Sequence, residues 1–193
     1  MAEIFPQFPA WNNHDALDVL LHILGNINVS QGEIAEVTKQ GTCPCTYQPP
    51  PDVQPNLSVS LPLSASPVNI DQLVHTVINT VTHNGLCPMC QQLTQDNTVT
   101  VSQGNYLIVE IERLLGPGPG GQVNNTAVTW TQTAGTRLVT PLFVVGQLPG
   151  HWVCYSRHRV TNQWWKLNDS HPMVPQDPFQ DHPVNVVFIL FRL

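Results

Sequence analysis

Two short-spaced cysteine pairs, Cys43-Pro-Cys45 and Cys87-Pro-Met-Cys90, carry the strongest chemical signal in the chain. Four thiolates around one ion satisfy tetrahedral zinc, and each pair supplies two ligands from one tight turn. Such a site is closed and structural, because four thiolates leave no open position for catalysis. Two pairs of buried free thiols, or disulfides, are the alternatives that spacing leaves open. Residues 46–86 separate the pairs, so an ion would clip together the ends of an inserted β-α excursion.

A second constellation is Gly150-His151-Trp152-Val153-Cys154-Tyr155 followed by Trp164-Trp165-Lys166-Leu167-Asn168-Asp169-Ser170. A His that starts one strand can face an Asn or Asp that ends the next across a hairpin. Asn168 or Asp169 could then hold the His151 ring in one tautomer, which is the base-plus-orienter half of a nucleophilic triad. The alternative is a structural His among aromatics. Cys154 lies three residues after His151 and so falls on the opposite strand face. It reads as a small packed hydrophobe.

The elements that must position these residues follow from periodicity. Residues 14–24, HDALDVLLHIL, repeat Leu17, Leu20, Leu21 and Leu24 at helical spacing, with Asn12 or Asn13 as cap and Gly25 as stop. A second helix is expected over 70–83, capped by Asn69. The Pro-rich stretch Gln48–Pro55 excludes a central strand or a helix. Leu57–Leu63 alternates as a strand near an edge, given Pro62. Beyond Cys90, strands are expected over Thr98–Val101, Tyr106–Leu114, Ala127–Thr131, Arg137–Val145, Trp152–Ser156, Trp164–Leu167 and Val184–Phe191. Gly116–Gly121 reads as a surface turn; neither a Lys-Ser/Thr pair nor a helix start follows, as a phosphate cradle would need. The order is α+β with an antiparallel-looking β run.

Composition bounds the partners. The 193 residues carry 7 Lys+Arg against 13 Asp+Glu, a formal charge of −6, with only Lys39 and Lys166 as lysines. That balance argues against nucleic acid and anionic membranes, which need basic patches. No run of about 18 apolar residues offers a membrane span. Met1–Asn13 lacks the basic and apolar regions of a secretory signal. Five cysteines, an odd count, point to a reducing intracellular compartment, cytoplasmic or nuclear.

Several segments, in chain order, resemble the ubiquitin-specific proteases, a family of papain-like thiol hydrolases. HDALDVLLHIL is similar to the helix that precedes the family's first zinc pair. NYLIVEIERLL is similar to the strand after its second pair, and VNVVFILFRL to its closing strand. GHWVCYSRH…NQWWKLNDS resembles its histidine box.

The resemblance implies a single truncated or divergent domain over 1–193. It would comprise a remnant helix at 12–25, a zinc-clipped fingers region at 40–95 and a β-rich palm with the histidine box at 96–193. The thumb lobe would be largely absent. His151 matches the general base, and Asn168 the residue that orients it, a role Asp169 can share. Cys43, Cys45, Cys87 and Cys90 match the ligands of a structural zinc. The implied partner is ubiquitin or a ubiquitin-like protein, whose tail ends in basic residues and two glycines. An acidic lining would suit that tail, and Glu110 and Glu112 lie on a strand able to supply it. The parent activity is deubiquitinase-type hydrolysis of the isopeptide bond after the terminal Gly.

The departures concern the nucleophile. The family's Leu-Gly-Asn-Thr-Cys box precedes the first helix, where this sequence has no Cys. Leu24-Gly25-Asn26-Ile27-Asn28 imitates the box but puts Asn28 at the nucleophile and falls at the end of that helix. Val145-Gly146-Gln147 stands where the family often has His-x-Gly. As written, the chain is expected to be silent alone, a pseudoenzyme unless another chain supplies the missing lobe. The rival expectation is a zinc-stabilised interaction scaffold without ubiquitin affinity.

Overall fold

The computed structural model describes residues 33–43, 45, 47–48, 50–79, 84–87, 89–115, 122–131, 140–168 and 171–193. The expected helix over 14–24, the segment Leu24–Asn28, the Gly116–Gly121 turn and Asp169 lie outside these residues. In chain order the elements are β1 (Val37–Thr42), β2 (Asp52–Gln54), β3 (Asn56–Ser60), β4 (Val68–Asn69), α1 (Ile70–Asn79), β5 (Asn84–Leu86), β6 (Leu93–Val101), β7 (Tyr106–Glu112), β8 (Leu114–Leu115), β9 (Gln122–Val123), β10 (Val128–Thr129), β11 (Thr140–Leu148), β12 (His151–Arg157), β13 (Trp164–Leu167), β14 (Val174–Pro175), α2 (Pro178–Asp181) and β15 (Val186–Arg192).

A seven-stranded sheet runs in the order β14-β13-β12-β11-β15-β7-β3. Its pairings are antiparallel except β3 with β7, which is parallel. β3 takes the outer edge, which tolerates a Pro just beyond it. Alternation assigns the faces. Leu107, Val109 and Ile111 of β7, Val144 of β11, Val153 and Tyr155 of β12, and Ile189 and Phe191 of β15 are buried in one core. Ile70 and Val74 of α1 join them, and Leu73, Val77 and Ile78 pack at its margin. Each such side chain contributes about 1.5–3 kcal/mol by leaving water. Asn69 caps α1 as its position suggests: its Oδ1 accepts the Asp71 N–H at 3.1 Å.

A second sheet runs in the order β2-β1-β6-β5. Val37 of β1 and Val99 of β6 anchor its base in the main core. The Pro-rich segment supplies only β2, on its edge, as proline requires. No strand is expected over Val37–Thr42 from its sequence, VTKQGT, yet it pairs with both β2 and β6.

The outer end of the large sheet is held by one carboxylate. Tyr155 Oη donates to Asp181 Oδ2 at 2.7 Å, and Lys166 Nζ donates to the same oxygen at 2.7 Å. Lys166 sits directly across from Tyr155 in the β12–β13 ladder. Burial first, and the Asp181 carboxylate second, raise the Tyr155 phenol above its ordinary value. Burial pushes the Asp181 carboxyl up, but its bonds to Lys166 and Tyr155 outweigh this and hold it below the usual value. A carboxyl depressed in the folded state adds stability above its unfolded value, and that share is lost as pH falls through the folded value. Asp181→Ala is expected to cost about 2 kcal/mol at neutral pH and to flatten the acid limb of the stability curve. Urea unfolding of both proteins at pH 7 and in acid checks this; parallel acid limbs would contradict it.

Candidate functional site

The four paired cysteines converge. Cys43 and Cys45 follow β1, and Cys87 and Cys90 sit in the turn between β5 and β6. Their sulfurs lie within 4.8 Å of one another. Cys43 Sγ is 3.2 Å from Cys45 Sγ and 3.3 Å from Cys90 Sγ, and Cys45 Sγ is 3.7 Å from Cys87 Sγ. A tetrahedron with Zn–S of about 2.3 Å has edges of about 3.8 Å, so the arrangement fits an ion with modest adjustment. None of the five cysteines is in a disulfide.

Local backbone builds the second half of this cluster. The Gln91 N–H donates to the Cys87 carbonyl at 2.8 Å, and the Cys87 N–H to the Gln92 carbonyl at 2.8 Å. Gln91 adopts φ 55°, the left-handed conformation such a knuckle needs. The backbone N–H of Cys90, then that of Met89, outweigh desolvation and lower the Cys87 thiol to about 6. At Cys43 the backbone N–H of Cys45 also lowers the value. Desolvation and the three neighbouring thiols outweigh it there, leaving Cys43 pushed up to about 12. Four sulfurs held this close form a donor set that a soft cation completes. The cluster can hold one metal ion, with no ligand position to spare.

The histidine site is set by a hairpin. Leu148 pairs with His151, so Pro149 and Gly150 form the two-residue turn between β11 and β12. Gly150 has φ 69°, a conformation that glycine adopts without steric cost. β12 then pairs with β13 in a register that sets Cys154 opposite Leu167. One step further along, that register sets Asn168 against Val153, on the face His151 shares. His151 Nε2 and Asn168 Oδ1 are hydrogen-bonded. With Oδ1 as the acceptor, this bond corresponds to the tautomer that carries its proton on Nε2 and leaves Nδ1 as an acceptor. Cys154 alternates to the other face, paired with Val145 and Leu167.

On that other face lies a cleft of about 740 Å³, lined by Glu110, Glu112, Leu148, Gly150, Trp152 and Phe188 among others. The sequence left open which way the two glutamates point. They face away from the core of Leu107, Val109 and Ile111. Glu110 Oε2 accepts from Asn56 Nδ2 at 2.8 Å and Ser58 Oγ at 2.9 Å, and Glu112 Oε2 from Ser60 Oγ at 2.5 Å. Two carboxylates two residues apart on a strand, about 6.6 Å, suit an extended segment with basic residues at alternate positions. Sequence reasoning did not single out Arg113 or Asn185, which frame the cleft floor. For Arg113 the available signal was a charged residue ending an apolar strand; for Asn185 there was none.

No protein-family model matches the chain, and no curated protein matches it. Solved structures do. A chain of the SAGA DUB module Ubp8/Sgf11/Sus1/Sgf73 bound to monoubiquitin is similar at TM-score 0.64 and 13% identity, over 99% of this chain and 51% of that chain. The same module bound to ubiquitin aldehyde gives TM-score 0.64 and 13% identity, over 99% and 51% respectively. The chain thus spans about half the length of the solved chains it matches. At such identity the likeness shows the fold alone, and that fold is of the ubiquitin-specific-protease type.

Proposed function

We propose that this chain is the palm and fingers of a ubiquitin-specific-protease-like module that binds ubiquitin or a ubiquitin-like protein. The observation that carries the reading is the His151–Asn168 hydrogen bond, formed across one hairpin of a fold that resembles ubiquitin-bound structures. In this reading His151 is the general base and Asn168 the residue that fixes its tautomer; Asp169 stands beside Asn168 in sequence as a second orienter. The region 96–193 serves as palm and 40–95 as fingers. Glu110 and Glu112 receive the basic residues of the modifier's tail in the cleft, and its last residues round the Pro149–Gly150 turn, which lines the same cleft, toward His151. Trp152 forms the cleft wall beside them.

The chemistry of these 193 residues stops at the base. A base with no thiolate beside it cannot form an acyl-enzyme. Cys154 lies on the other face of β12 from His151, and the other four cysteines belong to one cluster. Hydrolysis of the isopeptide bond therefore needs a thiol from outside this stretch, such as a thumb lobe on another chain. By itself the module binds and does not cut. Cysteines without disulfides favour a reducing setting, cytoplasmic or nuclear.

Cys43, Cys45, Cys87 and Cys90 hold zinc in this reading. The ion supplies no reaction step; it ties the end of β1 to the β5–β6 turn. One zinc per chain is expected by elemental analysis. Removing it with a chelator is expected to speed amide exchange in β1 and β6, while β11, β12 and β15 stay protected. Unchanged exchange in β1 and β6 would contradict a structural zinc.

Native mass spectrometry with ubiquitin carrying a thiol-reactive C-terminal group tests the functional reading. A non-covalent complex without an adduct is expected. An adduct would overturn the silent-module reading, and peptide mapping with Cys154→Ser would name the thiol. No complex at all would favour a zinc-stabilised scaffold without ubiquitin affinity.

A further inference from the structure

Among the described residues Arg113 is the buried cation, 8% exposed. Its guanidinium meets no carboxylate there. It donates instead to four backbone carbonyls: Val186 at 2.6 Å from Nε, Asn124 at 2.9 Å and Thr126 at 3.0 Å from Nη1, and Pro183 at 3.2 Å from Nη2. Burial lowers it to about 10, still protonated at neutral pH. Taking a cation out of water without a counter-ion is costly. Here the cost is offset by four carbonyls, three outside the strands (Asn124, Thr126 and Pro183) and one at the start of β15 (Val186), and a planar five-donor fork suits such a set.

Those segments lead to His151. Between Pro183 and Val186 stands Asn185. Its carbonyl accepts the Gln147 N–H at 2.9 Å, and its Nδ2 donates to the Gln147 carbonyl at 2.8 Å. These two bonds continue the β11–β15 contact past its last ladder pair, Gly146 with Val186, just beyond the register shift between Val145 and Gly146. The approach is close: a Cβ on Gly146 would lie 3.2 Å from Val153 Cγ1 and 3.6 Å from the Asn185 carbonyl oxygen. Gln147 and Leu148 run straight into the Pro149–Gly150 turn and His151. The chain of fixed contacts is therefore Arg113, the 183–186 segment, Asn185, Gln147, and the hairpin.

We infer that Arg113, acting through Asn185, is a positioning residue for His151, holding the hairpin so that the ring keeps its bond to Asn168. The inference rests on the reading of His151 as the site's base. Among the described residues the Arg113 guanidinium hydrogen-bonds to backbone carbonyls, so its role is to position and not to catalyse.

The test reads the His151 ring by its two ¹⁵N signals in the full chain, at about pH 8.5 where imidazole is neutral, assigned with His151→Gln. The wild type is expected to hold the Nε2-protonated tautomer. Asn185→Ala, at a half-buried position that leaves the core filled, is expected to move both nitrogens toward a common averaged value while circular dichroism stays unchanged. Arg113→Lys keeps the charge but not the fork, and is expected to give the same averaging. Unchanged ring signals in Asn185→Ala would overturn the proposal, as would Arg113→Lys melting earlier with the tautomer intact, which marks a merely structural role. A wild-type ring already averaged would overturn it too. The spectrum needs no ubiquitin, so failure to bind ubiquitin would sink the functional reading separately and leave this one standing.

Discussion

The register of β12 against its two neighbours is the constraint on which the rest of the site depends. Strand side chains alternate, so a slip of one residue would send His151 and Asn168 to opposite faces and turn Val153 and Tyr155 out of the core. The burial of those two, with Val144 across the ladder, fixes the β11–β12 pairing. Tyr155 and Lys166 fix the β12–β13 pairing, because both must reach the one oxygen of Asp181. The same alternation puts Trp152 on the cleft side. One hairpin therefore presents His151 and Asn168 on one face and Trp152, which lines the cleft, on the other.

The two sheets are held by different means. The large sheet buries a continuous apolar core and needs no help. Among the described residues the four-stranded sheet joins that core at its base, through Val37, Val99 and Val101, and its far end carries the cysteines. A small ribbon with little apolar area of its own is the kind of structure for which metal binding supplies folding energy. Exposed Leu86 and Met89 lie beside Cys87, so the tip combines the cysteine turn with apolar surface.

Parts of this were legible in the sequence because the forces that shape them are local. α1 and its Asn69 cap follow from helical spacing and a short polar side chain, and β13 follows from Trp164–Leu167 as written. Close spacing betrayed the cysteine pairs. β1 was not legible, because VTKQGT has no alternation and becomes a strand through partners far along the chain. The parallel pairing of β3 with β7 was hidden for the same reason. Asp181 gives no local sign that it gathers Tyr155 and Lys166. Nor does Arg113 show that four carbonyls wait for it, since long-range contacts are chosen by topology.

The central claim is that this fold receives a ubiquitin-type modifier with its tail along the acidic cleft. The most direct measurement is a titration of ¹⁵N-labelled ubiquitin with the chain, followed residue by residue. The account expects the C-terminal tail of ubiquitin to shift and broaden, and expects that response to be lost with Glu110→Lys and Glu112→Lys together. Tail signals that stay in place, or that respond equally to the doubly substituted chain, would contradict it.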